Sequence, residues 1–122
     1  MNQIIAIVDM FLFIPRKASR LFLGTRGRRS DEFLRDAHNA VKNGAIILDV
    51  RTPEEYREKH IENSINIPVH LIESRYEQIA KHKEIIVYCR RGNRSHAAAT
   101  RLLEKGHTVY DVATQKEWER EV

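Results

Sequence analysis

Three short apolar runs restrict the layering open to this chain. They are Ala45-Ile46-Ile47-Leu48-Asp49-Val50, Glu84-Ile85-Ile86-Val87-Tyr88 and Thr108-Val109-Tyr110-Asp111-Val112. Each is short and rich in β-branched residues, and a run without alternation reads as a strand buried on both faces. Between them the apolar residues change to helical spacing. Ser30 reads as an N-cap, with Asp31 and Glu32 in a first turn that favours negative charge. Phe33, Leu34, Ala37, Ala40 and Val41 then form a stripe that Gly44 ends. Thr52-Pro53-Glu54-Glu55 is a capping box with proline at the first helical position, opening a short helix that carries Tyr56 and ends by His60. Ile65-Asn66-Ile67-Pro68 reads as a short strand end. The spacing of Ile72, Tyr76, Ile79 and Ala80 predicts an amphipathic helix between Val69 and His82. Ser95 to Lys105 predicts another, closed by Gly106. Trp118 is expected in the core. Strands that alternate with helices predict an α/β fold with a central parallel sheet of about four or five strands flanked by helices.

In such sheets ligands bind beyond the C-terminal edges of the strands. Asp49 and Cys89 both fall at strand C-termini, so one site can hold both. Cys89 is the one cysteine of the chain. It stands where a strand runs through the loop Arg90-Arg91-Gly92-Asn93-Arg94-Ser95 into a helix. A free thiol, with a pKa of about 8.5, holds little of its reactive thiolate at neutral pH. A helix N-terminus and three arginines within five residues favour an anion there, whether thiolate or incoming substrate. Gly92 lets the backbone turn its amides inward. A lone cysteine in a small domain is often an apolar filler, but Arg-Arg-Gly-Asn-Arg is not a core neighbourhood.

Cys89-Arg90-Arg91-Gly92-Asn93-Arg94-Ser95 resembles the active-site loop of the rhodanese family of sulfurtransferases. Leu48-Asp49-Val50-Arg51-Thr52-Pro53-Glu54-Glu55-Tyr56 is similar to that family's Asp-Val-Arg…Glu-Tyr/Phe signature. Lys59-His60-Ile61-Glu62-Asn63-Ser64-Ile65-Asn66-Ile67-Pro68 resembles its Gly-His-Ile…Asn-Ile-Pro segment. The resemblance spans about Ser30 to Trp118. It implies a rhodanese-like domain over residues 30–122, acting as a single-domain thiosulfate sulfurtransferase. Cys89 is then the nucleophile that takes the outer sulfur of a small anionic donor such as thiosulfate and passes it, as a persulfide, to cyanide or a thiol. Backbone N–H groups from Arg90 through Ser95 would cradle the persulfide. Arg90 and Arg91 would attract the donor, while Arg94 either does the same or pairs inward with an acid. Ser95 either donates to the persulfide or caps the helix. Asp49 and Arg51 are expected to support the site, and His60 to be a structural hydrogen-bonder. Three departures bear on loop geometry: Lys59 and Asn63 stand in place of glycines, and Ala113-Thr114 in place of a Gly-Gly pair, with Thr114 the less comfortable there. Two readings compete. One is a cysteine phosphatase or arsenate reductase, whose loop runs five residues between cysteine and arginine where this one has four. The other is a non-enzymatic rhodanese-like interaction or sulfur-carrier module.

The 122 residues suffice for one domain with a modest core. One cysteine rules out an intramolecular disulfide or a multi-cysteine metal site, and the histidines lack ligand spacing, so no metal and no cofactor is expected. The net charge of +4 suits small anions. No basic face interleaved with aromatics points to nucleic acid. Residues 1–29 form an apolar, then basic, extension. The apolar run from Ile4 to Ile14 is shorter than the ~20 residues a bilayer span needs, and its basic residues follow it. Residues 4–23 read either as a membrane-surface anchor or as a self-association surface that would make a homodimer. Gly24 to Arg29 reads as a flexible linker. The cysteine usage fits the cytoplasm; association with a membrane through the extension is the alternative.

Overall fold

The computed structural model describes residues 27–122, so the anchor and self-association readings of residues 4–23 lie outside the described residues. Helix α1 (Asp31–Lys42) leads into strand β1 (Ile46–Asp49), helix α2 (Pro53–Glu58) and the short strand β2 (Ile65–Asn66). Strand β3 (Glu84–Cys89), helix α3 (Asn93–Glu104), strand β4 (Thr108–Thr114) and the single-turn helix α4 (Gln115–Trp118) follow. The four strands form one parallel sheet in the order β2-β1-β3-β4. Among the described residues no helix is long and apolar enough to cross a membrane.

Two apolar layers sandwich the sheet. Residues alternate faces along a strand, so Leu48, Ile85, Val87 and Val109 pack against Ala98, Ala99 and Leu102 of α3. On the other face Ile47, Ile86, Tyr88, Tyr110 and Val112 meet Phe33, Leu34, Ala37 and Ala40 of α1, with Trp118 closing that layer. The caps read from the sequence are in place. Ser30 accepts from the Phe33 N–H, and Thr52 and Glu55 complete their capping box.

Residues 69–82 differ from the amphipathic helix expected there. Two single 3₁₀ turns, Val69–Leu71 and Tyr76–Gln78, replace it. Ile72 and Ile79 are fully buried while Ala80 is exposed. Anchors seven residues apart are served equally well by linked turns. The Ser74 hydroxyl donates to the Leu71 carbonyl, and the Tyr76 hydroxyl reaches His107 Nε2 at 2.6 Å. These local and tertiary bonds compete with a regular helix.

The linker reading also fails at Arg29, whose side chain is buried. Its Nε donates to the Asp111 carbonyl at 2.7 Å, and its backbone N–H donates to the Glu117 carboxylate. The Ala113-Thr114 pair resolves in an unexpected way. Thr114 is extended at φ −137° and caps α4. The left-handed position falls on Ala113, at φ 69°, where β4 shifts register against β3. Asn63, at φ 67°, is the other non-glycine residue at positive φ among the described residues, a conformation its short polar side chain tolerates.

Candidate active site

Cys89 is the last residue of β3, at the C-terminal edge of the sheet, with 3% of its surface exposed. Beyond it Gly92 adopts φ 102°, a left-handed conformation that folds the chain back over the sulfur. The Gly92 N–H then donates to Cys89 Sγ at 3.0 Å and the Ser95 N–H at 3.3 Å. The loop leads directly into α3, so the positive end of that helix also faces the sulfur. Ser95 is buried, and its hydroxyl donates to the Gly92 carbonyl at 3.1 Å, closing the turn rather than reaching the thiol.

Two depressions meet at the cysteine. The larger, about 540 Å³, is bordered by Arg51, Lys59, Arg90 and Lys116, with Glu119 as its acid. The smaller, about 350 Å³, lies between Arg90, Arg91, Asn93, Arg94 and Glu55. Arg90, Arg91 and Asn93 are exposed. The sulfur thus lies where neutral donors converge, beneath a rim dominated by cations. An arrangement of this kind has the chemistry to receive an anion.

A polar wall stands behind it. The buried Asp49 carboxylate accepts from the Arg51 backbone N–H (2.9 Å), from Arg51 Nε (3.0 and 3.1 Å) and from Arg51 Nη2 (2.6 Å). Arg51 Nη2 also donates to the Lys59 carbonyl at 2.6 Å, and the guanidinium lies 5.4 Å from the centre of the Tyr88 ring. Burial pulls the Arg51 pKa down, but the bonds to Asp49 more than offset it and the net direction is up. The Tyr88 hydroxyl donates to Asp49 at 2.6 Å and accepts from the Ile61 N–H at 3.0 Å. Burial first, and Asp49 second, push that phenol up to about 12, so it remains a donor. Asp49 and Arg51 therefore form one braced unit that fixes the strand end and the chain at residue 59.

Of the two roles open to Arg94, the structure has the inward pair: Nη1 and Nη2 bind Glu55 at 2.7 and 3.0 Å. This bidentate pair holds the Glu55 carboxyl down at about 2; burial works against it, and Thr52 assists. His60 gives Nδ1 to the Tyr56 carbonyl at 2.7 Å and stacks on the Tyr56 ring at 3.7 Å, which occupies it structurally. Among the described residues no three His, Cys, Asp or Glu side chains gather as metal ligands.

Sequence reasoning missed Tyr88, Glu55 and Lys116. Tyr88 read simply as a strand residue, yet period-2 alternation along β1 and β3 puts it on the face of Asp49. Glu55 read as a capping-box residue, and nothing local signals its second bond to Arg94. Lys116 enters through the turn at Ala113, whose geometry the sequence left open.

The family model for the rhodanese-like domain matches residues 33–117. The chain belongs to that family. Among its curated relatives is a sulfurtransferase of Allochromatium vinosum, 36% identical over 62 residues, which are 51% of this chain and 58% of the relative. The thiosulfate sulfurtransferase GlpE of Coxiella burnetii is 34% identical over 65 residues, 53% of this chain and 61% of that protein. The chain therefore spans about three fifths of these relatives' length. The crystal structure of a rhodanese-related protein from Thermoplasma volcanium superposes with a TM-score of 0.59 at 34% identity, covering 70% of this chain and 85% of that one. The match to the family model begins at Phe33, four residues after Arg29.

Proposed function

We propose that this protein is a sulfurtransferase that works through a persulfide on Cys89, with thiosulfate or a similar sulfane-sulfur anion as donor. The observation that carries the reading is the pair of backbone N–H groups on Cys89 Sγ within a cationic cleft. In the first half-reaction the Cys89 thiolate attacks the outer sulfur of thiosulfate. The S–S bond of the donor breaks and sulfite leaves with its electron pair. Cys89 then carries one extra sulfur, whose negative charge the loop N–H groups offset. In the second half-reaction cyanide or a thiolate attacks that outer sulfur, leaves as thiocyanate or a persulfide, and returns the Cys89 thiolate. Two half-reactions on one nucleophile give ping-pong kinetics. Arg90 and Lys116, which border the same cleft, would meet the donor's sulfonate oxygens, and Arg51, bound to Asp49, would support the wall.

The phosphatase reading is disfavoured by Arg94. Both of its terminal nitrogens are held by Glu55, so its fork is engaged rather than offered to a phosphoryl group.

The test is the intact mass of the protein after incubation with thiosulfate. A gain of ~32 Da that cyanide removes, absent from Cys89→Ala, supports the reading; no adduct on a thiol that still alkylates sinks thiosulfate as donor.

A further inference from the structure

Asp111 is a buried carboxylate that the proposed chemistry does not use. It pairs in register with Val87, two residues before Cys89, and its face of β4 is the one that packs against α3. Its Oδ1 accepts from the Ala113 N–H at 3.0 Å, and the Ser95 hydroxyl lies near it. Ser95 is also the residue whose backbone N–H donates to the sulfur. A negative charge here stands directly behind the helix turn that has to hold an anion on Cys89, in a low-dielectric interior where charges act strongly.

Arg29 is the counter-charge. Its Nη2 lies 3.7 Å from Asp111 Oδ2, and both side chains are fully buried. The two atoms make no hydrogen bond, nor does His96 Nδ1 in the first turn of α3. A buried ion pair whose facing charged atoms make no hydrogen bond contributes little to stability, because desolvation outweighs its attraction. Its electrostatic effect remains: burial raises the Asp111 pKa, and Arg29 works against that while offsetting the negative charge of the carboxylate. The groups that face Asp111 are Arg29 from the N-terminal side, Ser95 and His96 from α3, and the Ala113 N–H from β4. Of the loop cations, Arg94 is already paired with Glu55.

We propose that Arg29 is a positioning residue for Cys89, acting by cancelling the Asp111 carboxylate behind the catalytic loop so that negative charge on the sulfur goes unopposed. This rests on Cys89 being the nucleophile. Arg29 lies before residues 33–117, so the contribution comes from outside the span matched by the family model.

The measurement is the pH profile of Cys89 alkylation by iodoacetamide in the full chain. It counts thiolate without any sulfur donor, so its failure is distinct from failure of the thiosulfate mass test. Asp111→Asn leaves the Arg29 charge unmatched. The profile is expected to move to lower pH by about half a unit, or about threefold faster alkylation near neutrality. Adding Arg29→Gln to Asp111→Asn removes that excess charge and is expected to return the profile towards wild type. Thermal melts run alongside. Lowered melting temperatures with coincident profiles would mean a merely structural role and overturn the proposal. So would a shift of Asp111→Asn to higher pH. If the double variant does not fold, Asp111→Asn against wild type still decides, since an unmoved profile overturns the idea.

Discussion

Tyr88 and Ala113 are the side chains on which single substitutions should be most informative. The Tyr88 hydroxyl joins Asp49 to the Ile61 N–H, so Tyr88→Phe leaves one buried donor open and removes one bond from the carboxylate. The expected cost is about 1–3 kcal/mol, read from denaturant unfolding. Turnover should fall with it, because the Asp49–Arg51 brace loses its third member, while Cys89 remains alkylatable. An unchanged stability would mean that solvent or backbone relaxation satisfies both groups. Ala113 works in the opposite direction. An alanine at φ 69° carries left-handed strain of about 1–2 kcal/mol. Glycine relieves it at an entropic cost of about 0.5–1 kcal/mol. Ala113→Gly should therefore stabilise the protein by about 0.5–1 kcal/mol and raise its melting temperature by a few degrees. A fall would show that the alanine methyl packs in a way that outweighs the strain.

At the scale of the element, α2 shows how a helix signal can conceal a site residue. Thr52 and Glu55 cap each other, as their spacing requires, and the same Glu55 carboxylate clamps Arg94 at the start of α3. The clamp ties α2 to the loop over Cys89. Its pH dependence follows from the sign of the shift. The Glu55 pKa is about 2 in the folded protein against an ordinary 4.5, so the folded state holds fewer protons between those values. The stabilisation is present above about pH 4.5 and is lost as pH falls towards 2. Stability curves of wild type and Glu55→Gln should lie apart near neutrality and converge across that window; a constant gap would assign the effect to packing. Elements with strong local signals were legible: the caps of α1 and α2, and the β-branched runs of β1, β3 and β4. The segment 69–82 was not, because Ile72 and Ile79 bury themselves without any helix between them. Arg29 was not legible either. An arginine among arginines and glycines looks solvated, and the partners that hold it inside, the Asp111 carbonyl and carboxylate and the Glu117 carboxylate, lie more than 80 residues away.

For the molecule as a whole, the sheet gathers its chemistry at one edge, and the charges there act together. Arg51, Lys59, Arg90 and Lys116 border the larger cleft against one acid, Glu119. The chain's net charge is +4, so the cleft is a local concentration of a modest global excess. Cations around a concave mouth draw in anions at long range, and salt screens that attraction. The Debye length falls from about 10 Å at 0.1 M to about 3 Å at 1 M, less than the breadth of such a cleft. If a dianion such as thiosulfate is the donor, kcat/KM for it should drop several-fold between low salt and roughly 0.5 M. Alkylation of Cys89 by neutral iodoacetamide should change far less over the same range. Lys116→Ala and Arg90→Ala should raise KM for thiosulfate more than they lower kcat, since both charges sit at the mouth rather than on the sulfur. They should also flatten the salt dependence. A salt response that survives both substitutions would place the attraction on Lys59 and Arg91 instead, since Arg51 is already paired with Asp49. No salt response in wild type would point to a neutral donor, with the cationic rim serving some purpose other than capture.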